Sequence, residues 1–351
     1  MDKERLKAAT DRVFADMAGA MTAGLCHVGS TTGLFRAMAG KGPLTQGDVV
    51  RESGLQPRYV EEWLKGMTCA GYLAYDAAPA TFTLPDEIAY FLASEGTDHF
   101  VGGLFAMAPV LLSVAPQVAK AFAQGGGVPF DSYGADGVLA LDLINRGQYE
   151  QRFTSYWLNA LPEVVAALAG GGRALDVGCG AGRVCVALAS AFPNAEVVGL
   201  DRDAQSIAQA GAAASAAGVD RRVRFLAQTT GQLARGAGFD LVTACDCIHD
   251  FSRPVETLRE MLALLKPGGV LFIMEPKVAD RLEDNRNPMA TMFYGFSVFH
   301  CMTQSLAEGG PGLGTCLGPA RTEALVREAG FTRFERLPIK SQSYLFYGAR
   351  P

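Results

Sequence analysis

The strongest chemical pattern in the chain is a glycine-rich loop that follows an acidic residue. Residues 176–182 read Asp-Val-Gly-Cys-Gly-Ala-Gly and precede an apolar helical pattern at 184–192. Glycines two residues apart let the backbone approach a ligand closely, and the first amides of a helix bind polar or anionic groups. A dinucleotide-binding loop would need its third glycine at position 183, where this chain has Arg183. The sequence therefore predicts a cofactor loop of the form G-x-G-x-G.

A histidine lies at a second position where chemistry is expected. Residues 244–251 read Ala-Cys-Asp-Cys-Ile-His-Asp-Phe and end an apolar run that is predicted as a strand. In a doubly wound sheet the carboxyl ends of the strands face the ligand crevice, so His249 is expected in that crevice. A neutral imidazole can accept a proton near pH 7, so His249 could remove a proton from a hydroxyl or thiol of a substrate.

Two other interpretations of this run stay open. His249 could cap or pack at the end of the strand, with Asp250 as its hydrogen-bond partner. Cys245, Cys247 and His249 alternate along one strand face, and thiolates with imidazole bind zinc, but a spacing of one intervening residue is poor for a structural zinc site. We therefore expect no metal here.

A long segment lies between Glu275 and Pro319, where a minimal fold would need far fewer residues. We expect it to form the pocket for the substrate, called the acceptor below, or the lid of that pocket. It contains an apolar, sulfur-rich helical run at 294–305 and a glycine-rich turn at 308–316. A soft, apolar pocket suits a small thiol or an aromatic hydroxyl better than a phosphorylated molecule. Packing of this helix face in the core is the competing interpretation. The side chains expected at the acceptor are Tyr294, Ser297, His300, Cys301 and Glu308.

The elements that must position these residues alternate between strand and helix. Short β-branched runs separated by helical patterns predict a parallel, doubly wound sheet, with strands at 173–177, 196–200, 223–227, 239–245 and 270–274. The last two strands, at 332–337 and 344–349, are separated by too few residues for a crossover helix. They are therefore expected to form an antiparallel hairpin.

The first part of the chain has a helical pattern. Residues 6–92 are interrupted by glycines, Gly24 and Gly29 among them, which predicts several short helices. Helices at 46–52 and 58–70 are followed by a hairpin of 72–75 and 81–84, the order typical of a winged helix. We expect this domain to cover residues 1–95, and a helical linker at 96–160 to contribute to the active-site cleft.

Four motifs in the remaining part, 161–351, resemble those of class I S-adenosylmethionine-dependent methyltransferases. They are the glycine loop, Gly-Leu-Asp at 199–201, Phe-Asp-Leu-Val at 239–242, and Leu-Lys-Pro-Gly-Gly-Val-Leu-Phe-Ile at 265–273. The resemblance implies a Rossmann-like, seven-stranded sheet and S-adenosyl-L-methionine as cofactor. Asp176 would hold the glycine loop and the cofactor ammonium, and Asp201 would accept the ribose hydroxyls. The cofactor-binding residues expected are Asp176, Gly178, Cys179, Gly180, Gly182, Asp201, Arg202, Gln228, Thr229, Cys245 and Asp246.

One departure from this family concerns the adenine site. After the third strand the family often has an acidic residue, whereas residues 228–230 of this chain read Gln-Thr-Thr. Contact with the adenine through Gln228 or Thr229 is the expectation that remains.

The run at 249–251 resembles the histidine-aspartate-aromatic motif of winged-helix small-molecule O-methyltransferases. The resemblance implies that His249 takes the proton of the acceptor hydroxyl and that Glu275 orients the histidine. Residues 285–316 resemble a poorly characterised bacterial subgroup of these enzymes. In the resembling family the N-terminal domain forms a homodimer, for which residues 17–35 supply an apolar surface.

Charge and composition limit the partners. The chain has 351 residues and a net charge of −5, and residues 1–130 contain ten Lys and Arg against thirteen Asp and Glu, a net of −3. The would-be recognition helix at 58–70 is neutral, whereas a helix that faces phosphates should be basic. We therefore expect no nucleic acid as partner. The N-terminal residues lack a signal-peptide pattern, no run is apolar enough for a membrane span, and the eight cysteines are scattered, so we expect a cytoplasmic protein with free thiols.

The function expected is S-adenosylmethionine-dependent methyl transfer to a hydroxyl or thiol of a small, largely apolar molecule. A small-thiol S-methyltransferase and an N-methyltransferase stay open as alternatives. A cofactor-binding regulator without turnover is the hypothesis from another class.

Overall fold

The computed structural model describes residues 1–233 and 238–351. Contacts divide them into two compact units, one of residues 1–110 and 139–148 and the other of residues 111–138 and 149–351. Residues 96–160, expected as a linker, are thus divided between the units.

The first unit consists mainly of helices around a small sheet. Its helices are α1 (Lys3–Thr31), α2 (Leu34–Met38), α3 (Gln46–Ser53), α4 (Pro57–Cys69) and α5 (Asp86–Leu92). Its strands are β1 (Leu44–Thr45), β2 (Ala74–Asp76) and β3 (Thr81–Thr83). The hairpin of β2 and β3 is antiparallel, as expected, and β1 adds a third strand to give the order β1-β3-β2.

The expectation of several short helices before residue 35 was wrong, because α1 continues through Gly24 and Gly29. A glycine inside a helix costs only about 1 kcal/mol relative to alanine, which packing can offset. A Cβ on Gly29 would lie 2.6 Å from a ring atom of Trp63 and 2.7 Å from one of Phe35. Gly29 therefore admits two core rings against the helix instead of ending it.

Residues 17–35, expected as a self-complementary surface, are only partly exposed. Leu34 and Phe35 are buried in the core of the first unit. The large apolar side chains of α1 that are more than half exposed lie nearer its start, at Val13, Phe14, Met17 and Met21.

Three helices follow, α6 (Gly102–Ser113), α7 (Ala115–Gln124) and α8 (Gly134–Arg152). Of the residues that the structure describes, no single helix has the length and apolarity to cross a membrane, and the bent pair of α6 and α7 passes by length and composition only.

The second unit is built on a seven-stranded sheet with the order β6-β5-β4-β7-β8-β10-β9. Its strands are β4 (Arg173–Val177), β5 (Glu196–Asp201), β6 (Val223–Ala227), β7 (Phe239–Cys245), β8 (Leu265–Pro276), β9 (Arg333–Arg336) and β10 (Tyr344–Arg350). Its later helices are α9 (Pro162–Ala169), α10 (Arg183–Ala191), α11 (Ala204–Ala216), α12 (Pro254–Leu264), α13 (Pro288–Phe296), α14 (Met302–Ala307) and α15 (Pro319–Glu328).

The topology confirms the predicted sheet. Strands β4 to β8 pair in parallel, whereas β10 pairs antiparallel with both β8 and β9. Apolar cores cover both faces, which is why β7 is buried along its whole length. The strand order reverses between β4 and β7, so the carboxyl ends of these two strands border the crevice where ligands bind in such sheets.

Candidate active site

The glycine loop connects β4 to α10 in a conformation that favours glycine. Gly178, Gly180 and Gly182 have φ angles of 70°, 50° and 73°. A Cβ on Gly182 would lie 2.7 Å from atoms of both Ala210 and Phe225, whereas a Cβ on Gly180 would meet no described heavy atom within 4 Å. Gly182 therefore allows close packing within the unit, and Gly180 borders open space.

Asp201, at the end of β5, holds this loop. Its Oδ2 accepts a hydrogen bond from the Gly180 N–H at 2.9 Å, and its Oδ1 accepts one from the Asp203 N–H at 2.9 Å. Burial raises the pKa of Asp201 despite these two bonds. The remaining lone pairs of the carboxylate can accept further hydroxyl groups.

Asp176, at the end of β4, has two side-chain partners that the sequence did not predict. Its side chain is buried and accepts hydrogen bonds from Thr243 Oγ1 at 2.6 Å and from the Cys185 thiol at 3.7 Å. Burial raises its pKa to about 7. The Gly180 N–H of the glycine loop donates to Asp201, and the role of Asp176 toward the loop and the cofactor ammonium stays a prediction.

The residues that follow β5 and β6 flank the same edge of the sheet. The Gln228 N–H donates to the Asp201 carbonyl at 2.9 Å. Thr229 is exposed and caps a short 3₁₀ turn, where its side chain and Gln232 form a capping box. Arg202 forms an ion pair with Glu308, and both side chains are partly exposed. The structure thus joins a residue expected at the cofactor to one expected at the acceptor.

The end of β7 carries a strained residue. Asp246 has a φ of 59°, in the left-handed region that costs most side chains about 1–2 kcal/mol. Its N–H donates to the Met274 carbonyl at 2.8 Å, and its Oδ2 accepts from the Tyr344 hydroxyl at 3.3 Å. Cys245 and Cys179, also expected near the cofactor, are buried, and burial raises the pKa of both thiols.

His249 and Glu275 form a buried pair at this end of the sheet. Glu275 Oε2 lies 2.6 Å from His249 Nδ1, and the exposed fractions of the two residues are 2% and 3%. Glu275 Oε1 accepts a hydrogen bond from the Ile248 N–H at 3.0 Å, which fixes the carboxylate. The histidine lies on a 3₁₀ turn at Ile248–Asp250, just beyond β7, and the glutamate is the penultimate residue of strand β8.

The charges around His249 raise its pKa. Burial is the largest influence and lowers the pKa, but the carboxylates of Glu275 and Asp250 outweigh it and raise the pKa well above 6.5. The second ring nitrogen, Nε2, lies 3.7 Å from Asp250 Oδ1. With Nδ1 held by Glu275, Nε2 is the nitrogen that can exchange a proton with a ligand.

The segment after β8 packs against the same turn. Helices α13 and α14 are joined by a π-helical turn at Ser297–Cys301 that buries Ser297, His300 and Cys301. The exposed fraction of Tyr294 is 41%, so this side chain is the most accessible of the four residues on this helical run that are expected at the acceptor. Gly314 passes so close to Ser297 that a Cβ there would lie 2.1 Å from its Oγ.

The surroundings of His300 include residues that sequence analysis missed. The ring lies 4.8 Å from that of Tyr133 and 6.1 Å from that of Phe130, measured between centroids. The Tyr133 hydroxyl donates to the Phe299 carbonyl at 2.6 Å. No sequence pattern links residues 130–133 to residues 299–300, because only the folded chain brings them together.

The cysteine next to His300 completes a mixed group of side chains. Donor atoms of His249, Asp250 and Cys301 all lie within 4.8 Å of one another, so these three side chains are close enough together to hold a metal ion. The alternating Cys245 and Cys247 considered above do not belong to this group. Burial raises the pKa of the Cys301 thiol to about 12, so the thiol is protonated at neutral pH.

Comparison with known proteins assigns both parts of the chain. Residues 168–309 match the family described as Methyltransferase domain, and residues 20–94 match the Rv2258c-like winged HTH domain. A curated relative, the ubiquinone biosynthesis O-methyltransferase of Xanthomonas campestris pv. campestris (strain B100), is 31% identical over 103 residues, which are 29% of this chain and 42% of the relative. The chain thus spans about two fifths of the length of the first curated relatives it matches.

Solved structures resemble the whole chain in fold. A putative O-methyltransferase from Nostoc punctiforme PCC 73102 superposes with a TM-score of 0.71 at 18% identity, covering 100% of both chains. Human N-acetylserotonin methyltransferase in complex with SAM superposes with a TM-score of 0.65 at 19% identity, covering 100% of this chain and 98% of the human chain. The chain therefore has a methyltransferase domain at residues 168–309 and a Rv2258c-like winged HTH domain at residues 20–94.

Proposed function

We propose that this protein transfers the methyl group of S-adenosyl-L-methionine to a hydroxyl or thiol of a small, largely apolar molecule, with His249 as the general base. The observation that carries the proposal is the buried contact between His249 Nδ1 and Glu275 Oε2 at the carboxyl end of the sheet. A histidine that is held at one ring nitrogen by a carboxylate and removes a proton with the other is a recurrent arrangement in enzymes.

The cofactor would lie along the glycine loop and the end of β5. The left-handed backbone of Gly178 and Gly180 and the open space beside Gly180 suit close approach of a ligand to the loop. The remaining lone pairs of the Asp201 carboxylate would accept hydrogen bonds from the ribose hydroxyls. Gln228, whose N–H donates to the Asp201 carbonyl, would contact the adenine of the cofactor. When bound, S-adenosyl-L-methionine supplies an electrophilic methyl group on its sulfonium. The solved human N-acetylserotonin methyltransferase, which was determined with SAM, supports the same cofactor here.

The part that this chain plays in the reaction is the transfer of one proton. The acceptor hydroxyl or thiol donates its proton to His249 Nε2, and the Nδ1–H stays hydrogen-bonded to Glu275, which stabilises the imidazolium. Removing the proton raises the nucleophilicity of the acceptor oxygen or sulfur. Because the carboxylates raise the pKa of His249, the imidazole is a stronger base than free histidine, but a smaller fraction of it is neutral at pH 7.

The alternatives differ in their need for a base. An amine acceptor can react from its neutral form and does not require His249 to remove a proton before the transfer. A small thiol ionises more easily than a phenol, so it depends less on the base. A regulator that binds the cofactor without turnover requires no acceptor. The O-methyltransferase names among the relatives favour the hydroxyl.

The test is methyl transfer by the purified full-length protein from labelled S-adenosyl-L-methionine to a panel of phenols, thiols and amines. We expect labelled product with a phenol or thiol, and we expect His249→Ala to lower kcat by about 10²–10⁴ while binding of S-adenosylhomocysteine is retained. Full activity of His249→Ala on the best acceptor would rule out the general base. Cofactor binding without product across the panel would favour the regulator.

The winged HTH domain is proposed to form a homodimer and not to bind nucleic acid. The helix α4, which occupies the place of a recognition helix, pairs its basic side chains with its own acidic ones, Arg58 with Glu62 and Lys65 with Glu61. Such a helix presents little net positive charge to phosphates. A salt-sensitive gel shift of random duplex DNA would contradict this.

A further inference from the structure

Two buried polar atoms beside His249 lack the hydrogen bonds that buried groups normally make. Among the residues that the structure describes, Asp250 Oδ1 and His300 Nε2 are buried without a hydrogen-bond partner. His300 as a whole is 4% exposed. Because more than nine in ten buried polar groups are satisfied in folded proteins, two such atoms at one site call for a ligand.

Asp250 and His300 both lie next to Cys301. Asp250 Oδ1 is 3.7 Å from His249 Nε2, and donor atoms of His249, Asp250 and Cys301 lie within 4.8 Å of one another. Cys301 Sγ in turn lies 3.6 Å from His300 Nδ1. The Asp250 carboxylate is close enough to act on the charge of His300.

The two atoms differ in what they offer a ligand. An ionised carboxylate only accepts hydrogen bonds. Burial lowers the pKa of His300 to about 4, against the charge of Asp250, so this imidazole is neutral. Its Nδ1 faces the Cys301 thiol, which is protonated and can donate to Nδ1, leaving the ring hydrogen on Nε2 as a donor. A hydroxyl can satisfy both atoms, because it donates one hydrogen bond and accepts another.

We propose that His300 and Asp250 bind a second hydroxyl of the acceptor, next to the group whose proton His249 removes. This inference rests on the proposed function. The short distance between Asp250 Oδ1 and His249 Nε2 fits two substituents on neighbouring carbon atoms. The Tyr133 and Phe130 rings beside His300 suit an aromatic carrier, so the substrate class is an aromatic molecule with two adjacent hydroxyls, or with a hydroxyl adjacent to a thiol. Asp250 and His300 hydrogen-bond this second group and exchange no proton with it.

The experiment compares matched acceptors on the full-length protein. Benzene-1,2-diol and phenol are one pair, and 2-mercaptophenol and thiophenol are the other. We expect kcat/KM to favour the disubstituted member by about tenfold to a hundredfold, since its absence leaves two buried groups unpaired. In His300→Phe, which keeps an aromatic ring against Tyr133, the ratio should fall close to one. His300→Gln, whose amide can donate a hydrogen bond, should recover part of the ratio.

A matched control and a binding measurement separate the possible failures. His27→Phe makes the same substitution at a histidine of the first unit whose Nδ1 is also buried without a partner, and it should leave the ratio unchanged. Calorimetry with S-adenosylhomocysteine present measures the affinities of benzene-1,2-diol and phenol without turnover. A preference for the diol that His300→Phe removes supports the inference even if no product forms, in which case the proposed function fails alone.

The contrary results are equally definite. Equal affinities and equal kcat/KM values for the two members of each pair would overturn the inference while leaving methyl transfer intact. A stoichiometric transition metal in the purified protein that is lost in both Asp250→Asn and Cys301→Ser would also overturn it, because the metal would occupy the unpaired Asp250 oxygen.

Discussion

His249 has its two ring nitrogens in different surroundings, and the difference determines how the residue titrates. Nδ1 contacts the buried Glu275 carboxylate, and Nε2 faces Asp250. Burial favours the neutral ring, but the two carboxylates favour the imidazolium more strongly. A group with a raised pKa is protonated below that pKa, and the proton must leave before the ring can act as a base.

Activity should therefore rise with pH. We expect kcat/KM for a phenol to increase through an apparent pKa above 6.5, because only the neutral imidazole accepts the proton. Glu275→Gln removes one of the raising charges, so its rising limb should shift to lower pH while its maximal rate falls. Initial rates from pH 5 to pH 10, with S-adenosylhomocysteine binding measured at each pH as a folding control, provide the test. Overlapping pH profiles of wild type and Glu275→Gln would contradict the pairing.

Contacts between individual side chains were the least predictable feature of the site. His249 and Glu275 could be named because each ends a predicted strand. The neighbourhood of His300 could not, since Tyr133 and Phe299 lie 166 residues apart and meet only through packing. Nor does any local pattern relate Arg202 to Glu308, which are 106 residues apart. The hydrogen bond from Thr243 to Asp176 could not be predicted either, because the sequence does not show that a side chain of the adjacent strand reaches this carboxylate.

At the scale of elements, three glycines in one loop serve different purposes. A Cβ at position 182 would strike Ala210 and Phe225, whereas one at position 180 would enter open space. Both positions have a positive φ, so alanine is strained at either. Glycine at position 182 is therefore required for packing inside the unit, whereas glycine at position 180 leaves room for a ligand.

Alanine at position 182 should mainly reduce stability, whereas alanine at position 180 should mainly weaken ligand binding. Gly182→Ala should lower the free energy of unfolding by roughly 2–4 kcal/mol, from backbone strain plus the clash. Gly180→Ala should cost about 1–2 kcal/mol from strain alone, yet weaken S-adenosylhomocysteine binding more. Urea unfolding and calorimetry measure the two effects. The assignment of the loop to the cofactor fails if Gly180→Ala binds S-adenosylhomocysteine as tightly as wild type.

Helix α1 offers a second matched pair. Gly29→Ala places a methyl group against Trp63 and Phe35 and should destabilise the protein by about 1–3 kcal/mol. Gly24→Ala, in the same helix with nothing within 4 Å of its Cβ, should stabilise it by up to about 1 kcal/mol. Urea unfolding of the full-length protein gives both values. A stabilising Gly29→Ala would show that glycine at position 29 does not serve the packing of the two rings.

Elements were more predictable than residues where side-chain patterns were strong. The bounds of β4, β6 and β7 are those that the sequence predicted, because polar or glycine residues flank each run. Strand β8 extends to both sides of the predicted 270–274, since its pairing with β7 and β10 continues past the apolar run. Strand β1 has two residues and no periodicity, and so escaped prediction.

At the scale of the whole molecule, the exposed apolar side chains of α1 are the surface that the proposed homodimer would cover. Phe14, Met17 and Met21 follow one another at helical spacing and are more than half exposed. Burying them between two copies would remove their apolar surface from water.

Charge on this face should separate the subunits. We expect wild type to elute as a dimer in size-exclusion chromatography with light scattering, and the double variant Phe14→Glu/Met17→Glu to elute as a monomer, because a buried carboxylate without a partner is costly. Ala8→Glu, on the opposite face of α1, should leave the dimer intact. A dimeric double variant, or a monomeric wild type at all concentrations, would contradict this surface.

The position of Cys301 has a consequence for the fidelity of the reaction. His249, the proposed base, has a ring nitrogen within 4.8 Å of the Cys301 thiol of the same chain. Were Cys301 readily ionised, it would compete with the acceptor, and each self-methylation would permanently block the enzyme that performed it. Burial, by raising the pKa of this thiol to about 12, keeps it in the unreactive protonated form. Burial of this thiol would thus keep the proposed reaction from methylating the protein itself.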